Sequence, residues 1–127
     1  MNNKEIGTAF EDRVCEMLSN HGYWAHFITP DERGAQPFDV IAVKDGIAYA
    51  IECKTLSRSQ KWFPISRLEE NQILAFYLWE KCKNTPPLIF IEWGDELVIV
   101  PYDELRKKQK INMLEAKKGE IECLQKF

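Results

Sequence analysis

Histidine is scarce in this chain, with only His21 and His26, both near the start. A histidine-based triad or a histidine-rich metal site therefore has little to draw on. The cysteines Cys15, Cys53, Cys82 and Cys123 are scattered without CxxC or Cys/His spacing. That argues against a zinc centre or a disulfide framework and for reduced core thiols. No apolar run approaches the length of a membrane span, and no signal peptide opens the chain. A soluble, cytoplasmic protein without a membrane partner is expected. Linkers, internal repeats and low-complexity tracts are missing too, so residues 1–127 read as a single domain. Positive net charge is also lacking: the formal charge is −3, which at first speaks against a nucleic-acid partner. Carboxylates gathered around a divalent cation, however, would carry negative charge without repelling phosphate. Lysine is also uneven, since "LRKKQK" (105–110) and "AKKG" (116–119) make the C-terminal region locally basic. A solvated helix face explains those runs equally well.

What is present suits one packed core: 45% of residues are hydrophobic and 12% aromatic. Ile6, Phe10, Val14 and Met17 recur at helical spacing and predict a helix over 4–20, stopped by "NHG". A short strand follows around Trp24 to Ile28, then a loop over 29–37. "FDVIAV" (38–43) and "IAYAIECK" (47–54) flank "KDG", a strong hairpin signal. Residues 55–65 read as a polar and aromatic loop. A second helix is expected from near Ser66, with Glu69 completing a capping box, to about Lys83. A second hairpin (86–101) turns at Gly94-Asp95, and a short helix from about Tyr102 and a basic tail close the chain. The order α-β-β-β-α-β-β-α predicts an α/β or α+β sandwich, a mixed central sheet flanked by helices.

The first hairpin brings acids together. If Asp45-Gly46 is a two-residue type I′ turn, Val43 faces Ala48, Ile41 faces Ala50 and Asp39 faces Glu52. Alternation puts Lys54 on the same face as Glu52. The other face, Phe38, Val40 and Ala42 with Tyr49, Ile51 and Cys53, is nearly all apolar, so both faces look covered and the acids costly. Two opposed carboxylates repel unless a cation lies between them. Lys54 could also neutralise one of them in a structural ion pair. On the first helix, Gly7, Glu11, Val14 and Leu18 share a stripe, so Glu11 leans over the sheet or snorkels to water. Gln72 lies between Leu68, Ala75 and Trp79 on the second helix's apolar stripe, bonding either a backbone group or the site. Hard carboxylate oxygens without His or Cys suit Mg²⁺ or Mn²⁺. With a neighbouring Lys to act on water or on developing charge, the set has the equipment of metal-dependent phosphodiester hydrolysis.

"PFDVIAVKDGIAYAIECK" resembles the PD-(D/E)XK nuclease signature, with Asp39, Glu52 and Lys54 at its acidic and lysine positions. "GTAFED" (7–12) resembles the Gly-x-x-Phe-Glu opening of Holliday-junction resolvases of this superfamily (RecU/Hjc type), which places Glu11. "RLEENQILAF" is similar to the RecU-type helix that carries a site glutamine, which places Gln72, and "PLIFIEWGDELVIVPYDEL" to the closing hairpin. The resemblance implies a restriction-endonuclease-like core and a Mg²⁺-dependent DNA endonuclease cutting four-way junctions as a homodimer. It further implies metal on Glu11, Asp39 and Glu52, with the Cys53 backbone carbonyl as a candidate further ligand. Lys54 would act on the attacking water and Gln72 would position Lys54 or that water. Arg33, Arg58 and Lys61 are the expected phosphate contacts. Trp62, Phe63, Trp93 and the second hairpin's edge are candidates for the dimer surface. A nuclease acting on duplex, flap or single-stranded DNA, and an inactive binding module of the same fold, are the competing expectations.

Overall fold

Two tight turns organise the sheet. Asp45 and Gly46 both take positive φ (54° and 76°), as a type I′ turn requires, and Gly94 opens the second turn at φ 64°. The computed structural model describes residues 2–30, 36–116, 121, 124 and 127. In chain order its elements are α1 (Asn3–Asn20), β1 (Trp24–Phe27), β2 (Val40–Lys44), β3 (Ile47–Leu56), β4 (Trp62–Pro64), α2 (Glu70–Lys81), β5 (Leu88–Trp93), β6 (Glu96–Pro101), α3 (Tyr102–Lys108) and β7 (Lys110–Asn112). The five-stranded sheet runs β1-β2-β3-β5-β6. Its central β3–β5 pair is parallel and the others antiparallel. A parallel pair needs a long crossover, and the segment carrying α2 supplies it.

Each face of the sheet is covered by a different helix. On one, Phe10, Val14 and Leu18 of α1 pack on Val40, Ala42, Tyr49, Ile51 and Cys53, with Ile121 and Leu124 closing the cluster. On the other, Leu68 and Phe76 (α2 region) and Tyr102 and Leu105 (α3) pack on Ala50, Ile89, Ile91, Val98 and Val100. Burial on both faces explains why β3 as far as Ile51 and β5 as far as Ile91 are apolar runs without polar alternation.

Four expectations are corrected. The loop at 55–65 is partly strand: β3 extends to Leu56, and β4 pairs with β7 as a separate two-stranded ribbon. The second helix starts at Glu70, not near Ser66, and ends at Lys81. Residues 65–67 form a 3-10 turn, and Leu68 is extended (φ −91°, ψ 139°) because its buried side chain anchors the chain there. Phe63 and Trp93 belong to the core, which removes them from the dimer surface, whereas Trp62 is exposed. Of the described cysteines, Cys53 is buried, Cys15 half-buried and Cys82 exposed, all free. Cys82 is thus no core thiol, and Cys123 lies outside the described residues. Among those residues no helix is long and apolar enough to cross a membrane.

Candidate active site

The ladder of the first hairpin keeps the expected register from Lys44↔Ile47 down to Val40↔Ile51, then breaks at Asp39. A regular ladder would next join the Cys53 N–H to the Phe38 carbonyl. Instead the Asp39 carboxylate takes that N–H, accepting it at Oδ2 at 2.8 Å. The Asp39 N–H donates to the Ile51 carbonyl at 3.1 Å, and the Asp39 carbonyl accepts from Ile28 N–H at 2.8 Å. The backbone of Asp39 is therefore held from both neighbouring strands while its side chain folds back on Cys53. Alternation is lost at this point. Phe38 turns to the α2 face, packing beside Phe76 and Trp79, not with Val40 as expected. Asp39 and Glu52 are accordingly not a simple opposed pair on one face.

This slip explains how Glu11 reaches the acids. Helix α1 covers the Val40/Ile51/Cys53 face, while Glu52 points toward α2. Asp39, at the sheet's end, interacts with both: with half-buried Glu11 and with Glu52. Asp39 and Glu52 are only 5% and 2% exposed. Burial, and then the Asp39 charge, push the Glu52 carboxyl up to about 9. Burial and the same neighbour raise Glu11 to about 7. Asp39 is raised too, because burial outweighs its Cys53 hydrogen bond. Lys54 Nζ lies 3.4 Å from Glu52 Oε2, yet its pull is smaller than the desolvation that opposes it.

Gln72 is not mid-helix as expected; it occupies the first turn of α2. Its Oε1 accepts from the Glu69 N–H at 2.9 Å, which fixes the amide so that Nε2 donates to Glu52 Oε2 at 2.6 Å. It thus holds Glu52. The other Glu52 oxygen, Oε1, is buried without a hydrogen-bond partner. The acids meet in pairs: among the described residues no three His, Cys, Asp or Glu side chains form a ready-made metal cage.

Of the expected phosphate contacts, Arg33 lies outside the described residues. Arg58 donates to Glu96 at 2.6 Å and stacks 3.9 Å from the Trp93 ring centroid, beside the second turn. Lys61 is exposed next to Trp62. Sequence reasoning missed Glu69 as the residue that orients Gln72. The missed signal was Glu-x-x-Gln, a capping-box spacing one turn later than Ser-x-x-Glu.

A family model described as archaeal Holliday junction resolvase (Hjc) matches residues 2–124. No curated protein matches the chain significantly by sequence. Among solved structures, the chain is similar to Hjc of Archaeoglobus fulgidus, a Holliday junction resolvase from an archaeal hyperthermophile. The TM-score is 0.65 at 18% identity, covering 84% of this chain and 88% of that one. At that identity the structural likeness carries the fold alone.

Proposed function

The chain belongs to the archaeal Holliday junction resolvase (Hjc) family and is a junction-resolving nuclease of recombination, and from that premise we propose that Glu11, Asp39, Glu52, Lys54 and Gln72 form its active site around a divalent cation, Mg²⁺ or Mn²⁺. The observation that carries the proposal is the buried Glu52 carboxylate with its unpartnered Oε1. A carboxyl raised to about 9 beside a second buried acid is an unfavourable arrangement that a hard cation relieves. The donor set suits such an ion, being three carboxylates and no His, with the Cys53 carbonyl as the proposed further ligand. When bound, the ion makes water nucleophilic and polarises the phosphoryl oxygen.

The chain's own groups do the rest. Gln72 locks the direction of Glu52, and the Cys53 N–H does the same for Asp39. Lys54, 15% exposed beside Glu52, offers its ammonium to the attacking water or to charge developing on the phosphate. Two symmetric cuts call for two sites on a two-fold axis. The outer face of α2 suits a second copy, since Ile73, Leu74, Tyr77 and Leu78 stand there exposed while Phe76 alone on that helix is buried.

Cleavage of a labelled four-way junction, flap, duplex and single strand with Mg²⁺ or Mn²⁺ tests the reading. Wild type should cut the junction preferentially and Asp39→Asn should not. Equal cutting by both would sink the site. Mn²⁺ should raise the thermal midpoint of wild type and leave that of the Asp39→Asn variant unmoved; no shift in wild type would refute the metal.

A further inference from the structure

A shallow groove of about 400 Å³ opens at the C-terminal end of β3, lined by Leu56, Gln60, Lys61, Trp62, Pro64 and Arg67. Leu56 lies two residues past Lys54 on the same strand, about 7 Å away along it. At a rise of about 3.4 Å per nucleotide along a stacked strand, that is roughly two nucleotide steps from the proposed site. Trp62 stands on β4, where Phe63, the next residue, is fully buried in the core. Alternation then turns Trp62 outward, and it is 47% exposed. The ribbon beneath it is firmly tied. Trp62 pairs with Asn112 and Phe63 with Ile111, and the Met113 N–H donates to the Lys61 carbonyl at 2.7 Å. The indole is thus presented on a fixed strand.

Its surroundings are cationic. Lys110 Nζ sits 4.5 Å from the Trp62 ring centroid. Exposed Arg67 donates to the Thr55 carbonyl at 2.9 Å, fastening the groove to the site-bearing strand. Both ionisable lining residues, Lys61 and Arg67, are positive in a chain of net charge −3. A second groove beside α1 has the opposite character, with Glu16, Glu92, Asp95 and Glu96 against Arg13. A cationic groove with one half-exposed indole matches a nucleic-acid strand carrying an unstacked base, because phosphates meet the cations and the base meets the ring.

We propose that Trp62 is the platform for a base released from stacking at the branch point of the junction, with Lys61, Arg67 and Lys110 on the flanking phosphates. This role rests on the nuclease reading above. It would make Trp62 a determinant of branched over unbroken DNA.

The test uses the full chain in EDTA with a labelled four-way junction and a duplex of the same arms, comparing wild type, W62A, W62L and W62F. Both W62A and W62L should weaken junction binding about tenfold and duplex binding less than about twofold, while W62F stays within about threefold of wild type. A 2-aminopurine base at the branch point should be quenched by wild type and not by W62L, which keeps apolar bulk without the ring. Wild-type affinity in W62A and W62L overturns the role of Trp62 while leaving the nuclease intact. So does an equal loss on junction and duplex, or a change in self-association on sedimentation, which would mark a protein contact. A wild-type chain that binds and cuts no DNA overturns this role together with the nuclease reading.

Discussion

The molecule contains two hairpins of similar plan that flank the same parallel seam. β2–β3 turns at Asp45-Gly46 and β5–β6 at Gly94-Asp95, each through two residues, and β3 lies beside β5. The second hairpin closes regularly to its end, Leu88↔Pro101, with Val98, Ile99 and Val100 all buried. The first breaks its ladder at Asp39 and buries two carboxylates where the second buries aliphatics. Protein interiors tolerate apolar side chains cheaply and acids at a cost. The regular hairpin therefore reads as scaffold and the broken one as apparatus.

Substitutions should separate the two. Glu52→Gln should lower junction cleavage on the order of a thousandfold, since several kcal/mol of charge stabilisation depend on the ion that Glu52 would hold. Because Glu52 already carries a proton near neutrality, the same change should alter metal-free stability by less than about 1 kcal/mol, read by urea titration. Ile99→Ala in the second hairpin should do the reverse. It should cost about 2–5 kcal/mol of stability and leave the activity of the folded fraction intact. Were Glu52→Gln to destabilise and Ile99→Ala to inactivate, the division between scaffold and apparatus would be wrong. Gln72→Ala lies between them, losing about 10- to 100-fold in metal affinity or activity by releasing Glu52.

The first hairpin should also carry a pH signature that the second lacks. In the folded, metal-free chain Glu11 is raised to about 7 and Glu52 to about 9. A carboxyl raised on folding stabilises fully below its unfolded value and loses that contribution as pH climbs through the folded one. The urea midpoint in EDTA should therefore fall between about pH 5 and pH 9, and Glu52→Gln should flatten the upper part of that fall. Saturating Mn²⁺ should flatten it in wild type. The smallest effect belongs to the second hairpin's surface: Arg58→Ala, which removes the ion pair with Glu96, should cost no more than about 1 kcal/mol.

Much of this contrast is written in local chemistry. Asp-Gly and Gly-Asp turns between apolar runs set both hairpins, and the type I′ geometry carries the register correctly as far as Val40↔Ile51. The slip at Asp39 is not legible. It results from a carboxylate outcompeting the Phe38 carbonyl for the Cys53 N–H, and from Phe38 finding Phe76 across the chain. For the same reason Glu11 could be assigned to the acids but not to its face of the sheet. The start of α2 was ambiguous because Ser66-Glu69 and Glu69-Gln72 both have capping spacing, and the burial of Leu68 decides between them. The β4–β7 ribbon joins two three-residue strands from distant parts of the sequence, too short for either to show a period.

The bond from Cys53 to Asp39 also bears on what can be inherited at that place. Position 53 contributes an amide proton to the acid, not the chemistry of its thiol, and its side chain is simply one more small apolar body beneath α1. Alanine, valine or serine could stand between the glutamate and the lysine and the carboxylate would still be held. Proline, which has no N–H to give, is the residue barred there on chemical grounds. The middle letter of Glu-x-Lys is free to drift among small side chains that fit beneath α1, because the N–H it owes Asp39 is common to every residue type but proline.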